Sequence, residues 1–326
     1  MLQIVLVLSL SAHLLLVDIA MAGPLVCVWL AWRATRRADP MAGRAAIALA
    51  RISIGALVGG IVIGGVLLAI HGWMGDGAYF SALGAVPVSR LWFGCAELLF
   101  SLVCMSAYLA LWDRWKQRPG AHRLLAIAAA SNLLLHFPAL FAIVSVLSTR
   151  GELVGQTLDG AGYRRMLIDG EILSRVAHVW LAAFAVTGVL LMVLARRLAV
   201  AEGQAAAGQR LIQRGAWLGL VPSLLQIPAG LWLAWQMPDT AREPLFGSDP
   251  LATGLFMVSL LLALVLIHTL AAVALGDHEP RNIGRSMALL VILILLMVGT
   301  RLRLHTNAAA EHGGSSLPGS ARPGTG

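Results

Sequence analysis

Charge is scarce in this chain: only 12% of its 326 residues are Asp, Glu, Lys or Arg, against 59% hydrophobic ones, and the mean hydropathy is +0.81. A water-soluble domain of this length could not bury so much apolar surface, so the composition excludes one and makes lipid the solvent. Cysteine is sparse too. Cys27, Cys95 and Cys104 all fall inside apolar runs, with no CxxC and no CxxCH, which argues against a zinc ribbon and against covalently attached c-type haem. No tandem repeat is present. The formal net charge of +8 does not point to nucleic acid, because the arginines sit in short clusters between apolar stretches rather than along one groove.

What the chain does have is length in its apolar runs. Stretches long enough to span a bilayer fall at about 2–32, 45–70, 90–112, 122–147, 171–195, 211–236, 250–275 and 284–302. They predict an all-α integral membrane protein, a bundle of eight transmembrane helices occupying 1–304. The Gly-, Ser-, Ala- and Pro-rich segment 305–326 is expected to be a disordered tail. The first run contains Ala20-Met21-Ala22, which imitates a signal-peptidase site. However, no positive charge precedes the run, and it continues to Trp32, so a spanning helix is expected.

Basic residues set the expected orientation. The first connection holds Arg33, Arg36, Arg37 and Arg44; the third Arg114, Lys116, Arg118 and Arg123; the fifth Arg196, Arg197, Arg210 and Arg214. The second connection is nearly uncharged before Arg90, and the sixth is acidic. The fourth connection and the C-terminal tail are mixed, and Arg301 and Arg303 run mildly against the alternation. The pattern places both termini outside a bacterial inner membrane.

Polar groups in the spans require a reason, since lipid offers them no partner. The candidates are His13, Glu97, Asn132, His136, His178 and His268, with Asp18 and Gln226. Depth sorts them. His178 and Met257 each lie about seven residues into spans that run in the same direction, so both sit roughly 10 Å below one face, with His13 slightly deeper. An imidazole and a thioether at equal depth are suited to clamp a haem iron from both sides. Met257 alone could equally be filler. Arg175, one turn outward of His178, is placed to pair with a haem propionate or to anchor its helix at the interface. His268, near the inner boundary, could ligate a second haem, carry protons or snorkel to that boundary, the last being favoured. In the second span, Gly55, Gly59, Gly60, Gly64 and Gly65 provide bare surface for close helix packing.

Four stretches resemble subunit I of the cytochrome bd-type quinol oxidases. They are Ser11-Ala12-His13; Glu97 to Trp112-Asp113-Arg114 followed by Ser131-Asn132; Arg175-Val-Ala-His178-Val-Trp to Gly188; and Leu255-Phe256-Met257-Val258. The resemblance implies haem b held by His178 and Met257, and a second haem at His13. It further implies a second membrane subunit, and an electron donor that is quinol or an extracytoplasmic cytochrome c. The departures are specific. About a dozen residues, 237–249, stand where that family carries a long quinol loop. Phe93 and Ser101 stand where it has two glutamates, leaving Glu97 as the candidate catalytic carboxyl. The last span has no carboxylate for a third haem, and a ninth helix is missing. The expectation is a haem b electron-transfer subunit of a respiratory complex, with oxygen reduction open only through His13 and Glu97. The alternatives are a haem-free structural or assembly subunit and, with little support from the helix pattern, a transporter.

Overall fold

The computed structural model describes residues 2–114, 117–149 and 157–314, with side chains through 304; Lys116 of the third connection lies outside this set. The described chain is helical throughout: α1 (Leu2–Arg36), α2 (Pro40–Trp73), α3 (Gly77–Ala85), α4 (Val88–Ala110), α5 (Pro119–Leu135), α6 (Phe137–Thr149), α7 (Gly160–Leu167), α8 (Gly170–Glu202), α9 (Ala205–Gln236), α10 (Asp239–Arg242), α11 (Pro250–Ala274) and α12 (Pro280–Gly314). Helices α5 and α6 share one span, Pro119–Thr149, which brings the long apolar segments to the expected eight. Ala20, Met21 and Ala22 are at most 3% exposed inside α1, so that segment is core, not linker. Helix α12 runs on to Gly314, past the expected end of the membrane domain; of the expected tail, 315–326 lies outside the described residues.

Aspartates start the helices. Asp39, Asp76, Asp159, Asp169 and Asp249 each accept a hydrogen bond from a first-turn amide of α2, α3, α7, α8 and α11. A carboxylate satisfies amides that have no partner within the helix, and it meets the positive end of the helix dipole. Pro40 and Pro250 follow two of these caps, at a position where the missing N–H costs nothing. Gly203, at φ +65°, closes α8 in the left-handed region that favours glycine.

Cross-contacts define the two ends of the bundle. At one end Arg44 pairs with Glu202 and with Gln204 (2.9 Å), Arg214 with Asp39 (3.1 Å), Arg123 with Thr35 (2.7 Å) and Gln213 with the Ala274 carbonyl (2.8 Å). The first, third, fifth and seventh connections therefore gather at one arginine-rich end. At the other, the Leu158 amide donates to the Ala85 carbonyl (2.8 Å) and Arg303 pairs with Asp249 (2.7 Å). The alternation read from the sequence is thus a property of the fold.

Glycine sets the tightest crossing, between α8 and α9. A Cβ on Gly188 would stand 2.8 Å from the Gly219 Cα, and one on Gly215 would stand 3.0 Å from both the Gly188 carbonyl oxygen and the Met192 amide nitrogen. Without a hydrophobic drive between helices in lipid, such close backbone approach is what holds them together. The main core joins α1, α2, α8 and α9 with α4 and α5, and includes Leu30, Leu49, Tyr108, Met192 and Leu211. A smaller core at the arginine-poor end packs α3 and α7 on α6 and α8 through Ile143, Leu147, Tyr163 and Ile172.

Candidate functional site

His13 is held by α2. Its Nδ1 lies 2.9 Å from the Gly60 carbonyl oxygen, so that nitrogen carries the proton and donates, leaving Nε2 with its lone pair. The ring rests against Gly64, where a Cβ would come within 3.0 Å of Cε1. A histidine whose second nitrogen donates to a carbonyl is oriented as metal-ligating histidines are. Three glycines of the second span are used to seat α1: Gly59 on Leu16, Gly60 on Val17 and Gly64 on His13. Gly55 and Gly65 face open space.

His178 lies eight residues into α8, about 12 Å along the axis. It is half-buried, and its Nδ1 is enclosed with no hydrogen-bond partner. The adjacent region of α8 is tied to the fourth span by a proline. Pro138 has no N–H to give the Leu134 carbonyl, and the Trp180 indole donates to that oxygen instead (2.7 Å). Met257 lies seven residues into α11 and is 46% exposed. It lies on the side of α11 opposite the buried series Ala252, Ser259, Leu266 and Val273. Helices α8 and α11 have no extensive contact with each other; both pack on α9 and α12. The structure therefore leaves the imidazole and the thioether apart, each with open surface.

Arg175 gives both Nη2 (2.7 Å) and Nε (3.3 Å) to Glu171, a buried carboxylate one turn earlier on α8. Arg301 of α12 stands within electrostatic reach of Arg175 and Tyr79, keeps open surface, and has no ion pair among the described residues. Sequence reasoning treated Arg301 only as a charge against the orientation rule. Its missed signal was an arginine inside the eighth span rather than beyond it.

Glu97, 7% exposed on α4, faces the break between α5 and α6. Its Oε2 is 3.8 Å from His136 Nδ1, and the Glu97 Oε2 and the His136 Nε2 are both buried without a hydrogen-bond partner. Phe93 and Phe137 close on the His136 ring edge-on. Arg90 lies near this imidazole and over the Tyr163 ring at 5.3 Å. Tyr163 is outside the spans; burial pushes its phenol above the ordinary range, while Arg90 pulls it back. This acid–base pair was not visible in the sequence, where both members stood only as separate intramembrane candidates.

The remaining candidates are not drawn in. Asp18 is buried in α1 with no ion pair among the described residues, and His268 is exposed on α11. Trp112, from one of the quoted motifs, packs edge-on against Tyr108 and His122 at the arginine-rich end, a structural cluster closed by His122 Nε2 on the Tyr108 carbonyl (2.8 Å).

The donor set fits a haem in part. His13 offers an oriented Nε2, and His178 carries an enclosed ring nitrogen with no hydrogen-bond partner. Met257 offers an unobstructed thioether, but turned from the seam that α11 makes with its neighbours. No three His, Cys, Asp or Glu side chains among the described residues converge as a metal cluster.

The class follows from fold and composition: an all-α integral membrane protein built on a bundle of eight transmembrane helices. Among solved structures, it is similar to the bd oxidase from Geobacillus thermodenitrificans, with a TM-score of 0.66 at 16% identity, over 94% of this chain and 84% of that one. The fold is thus bd-oxidase-like. No family model matches the chain, and no curated protein matches it.

Proposed function

We propose that the chain is a haem b-binding electron-transfer subunit of a respiratory membrane complex. The observation that carries the proposal is His13, a half-buried intramembrane imidazole fixed through Nδ1 by the Gly60 carbonyl with Nε2 left for a ligand. The bd-oxidase-like fold supports it, as does the set of candidate donors at similar depth from the arginine-poor end. His13 would hold one haem b and His178 another; Met257, turned outward from the α11 seam, would join His178 only if α11 rotated. Such a group, when bound, supplies one-electron chemistry at the depth of its ligands.

This chain's own residues then have distinct tasks. Gly60 and Gly64 fix the His13 ring. Arg175, with one nitrogen uncommitted, and Arg301 offer positive charge to an anionic edge. Glu97 and His136 form a carboxyl–imidazole pair within the spans, and would hold a proton there beside Phe93 and Phe137. The charge pattern favours both termini outside. The short 237–249 connection folds as α10 and a 3-10 turn over the start of α11, so an extracytoplasmic cytochrome c or a partner membrane subunit is favoured over quinol as donor. A haem-free structural subunit is the second reading, supported by the Glu171 grip on Arg175 and the outward Met257.

Haem content separates the two. Full-length protein purified from haem-supplied cells should give a pyridine haemochrome of at least one haem b per chain. Folded protein with none would leave the structural subunit as the account.

A further inference from the structure

At the arginine-rich end, the last turns of α8 and the first turns of α12 diverge and leave a groove of about 880 Å³. Its rim carries Arg196 and Arg197. The groove is lined further by Val193, Gly284, Met287, Val291 and Ile292. A Cβ on Gly284 would meet nothing within 4 Å, so the groove is open between the two arginines and the apolar lining. Arg196 reaches only the Pro280 carbonyl, at 3.5 Å, and Arg197 has no ion pair among the described residues. Arg44 and Arg214, at the same end, are paired with Glu202 and Asp39.

The direction of the groove matters. Val193 lies a turn deeper than the two arginines on α8, and Ile292 is eight residues, about 12 Å, along α12 from Gly284. Charge at the boundary thus gives way to a purely aliphatic trough running toward the middle of the bilayer. That sequence of chemistry is the sequence along one phospholipid, from phosphate to acyl chain. A soluble anion would satisfy the rim and leave the trough empty. An apolar helix would fill the trough and leave two desolvated guanidinium groups unmatched.

We infer that this groove is a binding site for an anionic glycerophospholipid, whose phosphate pairs with Arg196 and Arg197 while one acyl chain lies between α8 and α12. The site is independent of the haem ligands and stands whether or not haem binds.

Full-length protein in nanodiscs of phosphatidylcholine containing a minor fraction of phosphatidylglycerol provides the test, read by native mass spectrometry after release into detergent. Wild type should retain about one phosphatidylglycerol in preference to phosphatidylcholine. Each of Arg196→Gln and Arg197→Gln should reduce that preference about 5-fold, and the pair about 30-fold, from the usual worth of a basic residue near an anionic lipid surface. Gly284→Leu, which puts a side chain into the groove and keeps both charges, should also expel the lipid. Arg210→Gln, at the same end but outside the groove, should leave retention intact. Equal loss with Arg210→Gln would show diffuse charge attraction instead of a site. Retention unchanged in Gly284→Leu would show that no chain enters the trough. Either result overturns the assignment, as would recovery of the wild type with a polypeptide in the groove in place of lipid.

Discussion

At the scale of single residues, the account rests on how His13 is set. Its ring rests against Gly64 because α2 carries no side chain there, and Gly60 supplies the carbonyl that fixes the proton on Nδ1. Gly64→Ala would bring a methyl within 3.0 Å of Cε1 and tilt the ring. It should alter or abolish the spectral component due to a His13-ligated haem, while Gly65→Ala, facing open space, should leave the spectrum unchanged. Indistinguishable spectra from the two variants would remove His13 from the site. The sequence displayed both histidines and the glycine run, but it could not show which glycine met which ring, since that depends on the rotation of α1 against α2. The Glu97–His136 pair was hidden for a similar reason. Thirty-nine positions separate the two residues, and they meet because Pro138 interrupts the fourth span at His136.

At the scale of elements, length and hydropathy made all eight spans legible, with the acid caps and prolines marking several starts. Helices α3 and α7 were not foreseen. They are short, and their apolar residues become informative only once α6 is known to lie beneath them. The α8–α9 crossing was also out of view, as Gly188, Gly215 and Gly219 fall in two separate spans. Replacing Gly188 by Ala forces a methyl into the Gly219 backbone, so no rotamer change relieves the clash. The expected cost is about 1–3 kcal/mol, the usual range for overpacking a filled core. It would appear as a lowered midpoint of thermal unfolding in detergent. Gly254→Ala, where nothing lies within 4 Å, is the control expected to unfold like wild type. A Gly188→Ala midpoint equal to that control would mean the helices do not approach as described.

At the scale of the whole molecule, the contacts at each end separate arginine-rich from arginine-poor connections, and the positive-inside rule turns that separation into an orientation. Alkaline phosphatase fused after the last residue should therefore be active, and a fluorescent protein fused at the same point should be dark. The reverse pattern would invert the topology and move the candidate ligands to the cytoplasmic half. The fold was the most legible property, because hydropathy acts over many residues at once. The ligand set was legible only as candidates, since equal depth on two helices does not establish that two side chains face each other. The exposed Met257, on the side of α11 away from its buried series, marks that limit.

The most direct test of the central claim is a dithionite-reduced minus air-oxidised difference spectrum of the purified full-length protein beside its His178→Ala variant. A sharp haem b α-band that is lost or halved in the variant is the predicted result, halving being the outcome if His13 holds a second haem. A featureless spectrum from folded, haem-supplied wild type, or a band untouched by His178→Ala, would contradict the assignment of His178 as a ligand.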